Sequence, residues 1–170
     1  PWCIGQIPVY YNHLNTSHPI DENNPRYQKF RSNYIDAPNE PLYPFGYGLS
    51  YTDFEYSGFR IDGNELREDK PLTATVTVTN TGRREGDEIV QFYIRDVQAS
   101  VARPVKELKH FERISLKPGE KRDVSFKITP DDLKFYMWPN RENFRLWPDL
   151  TANVCQHCRS AWRNKVNLLT

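Results

Sequence analysis

The eight residues Leu72-Thr-Ala-Thr-Val-Thr-Val-Thr79 constrain the fold more than any other stretch of this chain. Apolar and hydroxylated side chains alternate without a break, so Leu72, Ala74, Val76 and Val78 share one face and four threonines share the other. Successive side chains of a strand point to opposite faces, whereas a helix of this sequence would scatter its apolar groups around the cylinder. The β-branched residues add their own preference for extended backbone. A strand dry on one side and wet on the other belongs to an antiparallel sheet packed by one face on a core. Asn80-Thr-Gly82 then turns the chain.

Neighbouring segments repeat the pattern. Phe54 and Tyr56 share a face, the phase slips at Gly58, and Phe59 and Ile61 continue, which predicts a bulge or bend at the glycine. Val90, Phe92 and Ile94 alternate within Glu88 to Arg95, and Val124, Phe126 and Ile128 alternate within Asp123 to Thr129. Val105 to Leu116 is less regular and reads as a strand pair or a bent strand. Lys117-Pro-Gly-Glu120 places Pro and Gly where a type II turn needs them. Thr129-Pro-Asp-Asp132 reads as an N-cap with Pro in the first helical position, predicting a single helical turn. Short strands separated by turns, without helical crossovers, predict an all-β antiparallel sandwich.

The first fifty residues lack this regularity. Ile4 to Tyr11 is rich in β-favouring residues and is expected to form an edge strand, because Pro8 cannot donate to a ladder. With no partner strand nearby in sequence, it is expected to complete a sheet whose other strands lie outside this chain. Residues 12–44 hold no period, and Pro19, Pro25, Pro38, Pro41 and Pro44 break any helix. Tyr27, Phe30, Tyr34, Tyr43, Phe45 and Tyr47 are too many aromatics for a loose tether. An ordered linker lying over a neighbouring surface is expected.

Twenty-three basic and 22 acidic side chains leave a formal net charge of +1, which excludes an electrostatic case for nucleic acid or an anionic membrane as partner. No apolar run approaches the roughly 18 residues that span a bilayer. Pro1-Trp-Cys-Ile-Gly5 has neither an initiator Met nor a signal-peptide pattern, so the chain is expected to begin inside something larger or after processing. Three cysteines cannot make an even disulfide framework.

Several runs, in order, resemble one family. Gly5-Gln-Ile-Pro-Val-Tyr-Tyr-Asn-His13 is similar to the last strand of the α/β sandwich domain of glycoside hydrolase family 3. Pro41-Leu-Tyr-Pro-Phe-Gly-Tyr-Gly-Leu-Ser-Tyr-Thr52 resembles the peptide leading into that family's fibronectin type III-like domain. Val76-Thr-Val-Thr-Asn-Thr-Gly82, Gly86-Asp-Glu-Ile-Val-Gln-Phe-Tyr-Ile-Arg-Asp96, Arg103-Pro-Val-Lys-Glu-Leu-Lys109, Leu116-Lys-Pro-Gly-Glu120 and Thr129-Pro-Asp-Asp-Leu133 resemble the domain itself. The resemblance implies an immunoglobulin/fibronectin type III-like sandwich with an extended N-terminal linker. Its implied layout is residues 1–13 as the end of a truncated α/β domain, 14–50 as packed linker, 51–138 as the sandwich and 139–170 as an atypical tail.

The same resemblance implies a β-glucosidase or β-xylosidase parent, periplasmic or secreted, that hydrolyses terminal β-D-glucosidic bonds with retention. Such members carry their Asp nucleophile on a barrel and often an acid/base Glu on the α/β domain, and neither motif occurs here. Retention needs two carboxyl groups about 5–5.5 Å apart, and the 22 acidic residues sit mostly in turns and on outward strand faces. The expectation is therefore a non-catalytic structural module with no catalytic, cofactor-binding or metal residues, whose partners are upstream catalytic domains and an oligosaccharide at the domain border. The alternative is a stand-alone carbohydrate- or protein-binding sandwich.

Past Tyr136 the likeness ends. The family continues with a Pro-Gly-Glu/Asp-Phe-like strand and a final strand ending near Gly-Ser or Gly-Pro. Here three of the four tryptophans appear, and no glycine follows Gly119. A replaced or frame-shifted end that does not supply the usual last strands is expected, with marginal stability as the consequence unless residues 140–150 substitute.

Remaining candidate sites favour bland roles. Cys155-Gln-His-Cys158 has metal-ligand spacing but no second ligand pair, since Cys3, His13, His18 and His110 do not form one. The three histidines lack a nucleophile turn to serve. Asn15-Thr-Ser17 fits a glycosylation acceptor, a pattern common by chance. Tyr43, Phe45, Tyr47 and Tyr51 could stack on sugars, but glycines at 46 and 48 between them favour a packed peptide.

Overall fold

A computed structural model describes residues 1–16, 18–21, 29–63, 66–67, 69–96, 101–134, 136–137, 141–142, 149–155 and 166–169, with side chains up to residue 134. Two antiparallel sheets face each other. One holds β1 (Phe54–Ile61), β2 (Leu72–Asn80) and β5 (Lys121–Ile128) in the order β1-β2-β5. The other holds β3 (Gly86–Asp96), β4 (Glu107–Leu116), β8 (Asp149–Cys155) and β9 (Val166–Leu169) in the order β4-β3-β8-β9. Two short strands, β6 (Tyr136–Met137) and β7 (Arg141–Glu142), form a separate ribbon. This is the expected all-β sandwich.

The alternation in β2 is realised residue by residue. Leu72, Ala74, Val76 and Val78 are buried, and the threonines between them lie on the outer face, where Thr75 and Ser125 share a hydrogen bond at 3.0 Å. Leu72, Val76 and Val78 each contribute about 1.5–3 kcal/mol by leaving water. From the facing sheet Val90, Phe92, Ile94, Ile114 and Leu116 complete the core, with Leu66 and Leu133 closing it. Phe92 stacks on Phe126 across the interior at 5.5 Å between centroids.

The turn chemistry holds as well. The β1–β2 register shifts between Ser57 and Arg60, around Gly58. Gly119 has φ +76°, the left-handed value that a type II turn demands at its third position. Thr129 precedes the 3₁₀ turn Pro130–Leu133, and both its amide and its hydroxyl donate to Asp132 Oδ2, at 2.7 and 2.8 Å.

No ladder among the described residues pairs with Ile4 to Tyr11; the Ile7 amide donates to Tyr34 OH at 2.9 Å and the Gln6 amide to the Cys3 carbonyl at 3.4 Å. One expectation needs correction. The tail is expected not to supply the usual last strands, yet a segment lying mostly past residues 140–150 fills the place: Asp149–Cys155 pairs antiparallel with β3 from Gln91↔Cys155 to Asp96↔Leu150, and β9 pairs with β8. An open β3 edge offers a row of donors and acceptors, and any extended segment within reach can satisfy them with backbone alone.

Candidate functional site

The leading segment sits on the outer face of β3. Strict alternation assigns Gln91 and Tyr93 to the wet side of the sheet, yet Tyr93 is only 1% exposed. The Tyr11 ring meets it edge-on at 6.1 Å, Lys106 Nζ lies 5.5 Å above its face, and its hydroxyl donates to Gln91 Oε1 at 2.6 Å. Phe45 stacks on Tyr11 at 4.4 Å. Beside it Gly46 has φ +78°, the left-handed conformation that favours glycine, and a Cβ there would fall 2.5 Å from Gln91 Nε2 and push that side-chain amide aside. Further along, the Val105 amide donates to the His13 carbonyl at 2.9 Å, and Leu14 bridges Pro104.

Gln6 holds the segment together internally. Its buried amide donates to the carbonyls of Pro38 at 2.9 Å and Glu40 at 3.1 Å, and its Oε1 accepts from the Trp2 amide at 2.6 Å. Tyr34 OH accepts from the Ile7 amide at 2.9 Å, and Asn39 bridges Ser32 and Tyr34. No sequence periodicity marks Gln6. The available sign was a single glutamine in an otherwise apolar stretch.

Between this segment and the sandwich lies a cleft of about 680 Å³. Tyr10, Phe45 and a series of prolines give it apolar walls, and His13, Glu40, Arg95 and Lys106 add polar groups. Glu40 is its one carboxylate among the described lining residues.

The sequence candidates fall as follows. His13 is exposed with Nδ1 3.0 Å from the Leu14 carbonyl, and the His18 carbonyl accepts from the Ser32 amide. His110 stands apart on β4, its ring near Phe92 and Phe126, with Nε2 3.4 Å from Asp132 Oδ1. No group of three or more His, Cys, Asp or Glu side chains converges among the described residues. Cys3 is exposed with a free thiol. Gln156, His157, Cys158 and Ser17 lie outside the described residues, as does Tyr27. Of the aromatic run, Tyr43 and Tyr47 contact each other at 5.1 Å and Phe45 packs on Tyr11, while Tyr51 stays 90% exposed.

Comparison with known proteins agrees with this geometry. The fibronectin type III-like domain family matches residues 88–145. A periplasmic β-glucosidase of Salmonella typhimurium is 53% identical over 136 residues, covering 80% of this chain and 18% of the relative. A putative β-xylosidase of Formosa agariphila is 48% identical over 79% of this chain and 16% of its own length. Among solved structures, the Listeria innocua β-glucosidase in complex with isofagomine superposes with TM-score 0.83 at 38% identity, over 97% of this chain and 22% of that one. The chain thus spans less than a quarter of each of these relatives. It carries a fibronectin type III-like domain and its preceding linker as they occur in the C-terminal part of glycoside hydrolase family 3 β-glucosidase- and β-xylosidase-like enzymes.

Proposed function

We infer that this chain is a non-catalytic structural module that braces the catalytic domains of a family 3 glycoside hydrolase, whose activity is hydrolysis of terminal β-D-glucosidic bonds. The observation that carries this reading is the apolar surface of the leading segment. Ile4, Ile7, Phe30, Ile35, Leu49 and Tyr51 are all exposed, although the sandwich beneath is well filled. A contiguous segment with that many solvent-facing apolar groups marks a contact surface. The occupant it fits is the remaining four-fifths of a relative, to which residues 1–13 would lead directly. The retaining reaction needs a pair of carboxylates, and the cleft offers Glu40. The bond-breaking groups are therefore assigned to those other domains.

The test is complementation. The Salmonella β-glucosidase, truncated of the part matching this chain, is mixed with the purified 170-residue chain. A stable complex with raised thermal stability and restored hydrolysis of an aryl β-glucoside is expected, while the chain alone turns over nothing. Absence of a complex, or hydrolysis by the chain alone, refutes the reading.

A further inference from the structure

His110 has no part in the bracing function and lies away from the leading segment, inside one end of the sandwich. Its ring runs near-parallel to Phe126 of β5, at 6.1 Å and 15°, and to Phe92 of β3, at 6.2 Å and 28°. Its Nε2 is out of contact with solvent and has no hydrogen-bond partner among the described residues. Asp132 Oδ1, in the 3₁₀ turn Pro130–Leu133, stands 3.4 Å from that nitrogen. We propose that His110 and Asp132 form a proton-operated latch, closed when the imidazole takes up a proton, that holds this turn against β4.

A neutral imidazole makes a poor partner at that place. One tautomer aims the Nε2 lone pair at a carboxylate. The other aims an N–H, but 3.4 Å is beyond the roughly 2.7–3.2 Å of an ordinary N–H···O bond. Protonation makes Nε2 a donor with a full charge behind it, and charge-assisted bonds are shorter and about twice as strong as neutral ones. The carboxylate is already held in position. Its Oδ2 accepts from both the amide and the hydroxyl of Thr129, which leaves Oδ1 for His110. The same turn carries Leu133, a core residue only 5% exposed, so closing the latch keeps a core side chain in place.

The other charges around His110 are engaged elsewhere or exposed. β3 and β5 present the rings of Phe92 and Phe126 to it, and Lys127 of β5 is exposed. In the turn Asp131 pairs with Lys134 at 2.5 Å. On β4, Glu107 takes Lys109 at 2.9 Å and Arg103 at 2.6 Å, while Glu112 is exposed. The attraction exists only in the charged state, so the latch closes as pH falls through the range of about 8 to 5 in which histidine takes its proton. That sign is opposite to the one a carboxylate held by donors would give.

The experiment uses the full 170-residue chain in a double-mutant cycle, read by urea unfolding at about pH 5.5 and about pH 8. His110→Phe keeps a ring in the aromatic stack, and Asp132→Asn keeps an acceptor for Thr129. The coupling between the two should change the unfolding constant about fivefold at the lower pH and leave it nearly unchanged at the higher. In the unsubstituted chain the carbon resonance of the Asp132 carboxyl should move together with the His110 ring across that range. Equal coupling at both pH values, a carboxyl that stays silent while the ring titrates, or a coupling abolished by Glu112→Gln would each overturn the latch. Neither residue belongs to the leading segment, so complementation with the truncated relative can succeed or fail independently of that result.

Discussion

The Thr52 hydroxyl donates to Asn80 Oδ1 at 2.7 Å inside the protein, and this contact fixes where the leading segment enters the sandwich. Asn80 ends β2 fully buried, and its amide is satisfied on every side. Oδ1 also accepts from the Gly82 amide at 3.0 Å, while Nδ2 donates to the carbonyls of Arg84 at 2.8 Å and Leu116 at 2.9 Å. One side chain thereby ties β2 to the end of β4 in the opposite sheet and to the segment before β1.

Asn80→Ala should destabilise the chain by about 3 kcal/mol, because it strands several buried donors and acceptors at once. Asn80→Asp should cost at least as much, since a carboxylate would face the two carbonyls that Nδ2 now serves. Thr52→Val, removing one donor, should cost about 1 kcal/mol. Urea unfolding of the three variants measures the ranking, and an Asn80→Ala cost no larger than that of Thr52→Val would contradict the hub.

Gly82 lies against the same residues. A Cβ there would come 2.1 Å from Thr52 Oγ1 and 2.8 Å from the Asp53 amide nitrogen. Gly82→Ala should destabilise by about 1–3 kcal/mol. Adding Thr52→Ala should recover only part of this, because the Asp53 backbone cannot be trimmed away. Complete recovery in the double variant would show that the backbone clash is absent.

Acid should loosen both sheets. Hydrogen bonds from Ser115 and then Arg113 hold the Asp87 carboxyl below its usual value, which joins β3 to β4. A hydrogen bond from Thr77 at 2.6 Å, and then Arg60, lowers Asp123, which joins β1 and β2 to β5. A carboxyl whose folded pKa is depressed adds stability above the unfolded value near 3.9, and that stability is lost as pH falls through the folded pKa. Thermal midpoints should therefore drop below about pH 4. Asp87→Asn and Asp123→Asn should start lower at neutral pH and show a smaller drop. Equal acid sensitivity in wild type and in the double variant would refute the assignment.

Phe45→Ala should release the leading segment without unfolding the sandwich. It removes the stack on Tyr11, and Tyr11 is in turn the cover of Tyr93. Limited proteolysis should cut within residues 14–50 faster, while the residues of β2 and β5 keep their amide-exchange protection. Loss of protection across the sandwich would mean that the segment is part of the core.

The sandwich was legible because β2, β3 and β5 each bury one face, and a period of two states that directly. The bulge at Gly58, the turn at Gly119 and the cap at Thr129 were legible because each depends on one residue type in one place. Two features were hidden for the same physical reason: they depend on contacts distant in sequence. Tyr93 looks solvent-facing until Tyr11 covers it, and Gln6 looks ordinary until Pro38 and Glu40 turn their carbonyls toward it. The cleft, assembled from four separate stretches, left no linear signature.

The tail makes the most specific prediction. Identity to the Salmonella relative covers 136 residues, and the domain family match stops at residue 145. Trp147 has the single codon TGG and Pro148 begins CC, so the frame one nucleotide back encodes Ala across that junction whatever codons are used. In the same frame, codons open to Asn140 through Phe144 can spell Pro-Gly-Lys-Phe or Pro-Gly-Glu-Phe, and those open to Pro148 through Thr151 can spell Gly-Ser-Asp. These are the glycine-bearing strand ends that the tail lacks. Sequencing the gene across this region should reveal that alternative frame, open and glycine-containing. A chain carrying the restored ending should resist urea better than the present one, because side chains selected for the place beside β3 would replace a pairing now made through the backbone of Asp149–Cys155. Stop codons in that frame near Trp147, or equal resistance of the two chains, would establish the tail as the native edge of this sheet.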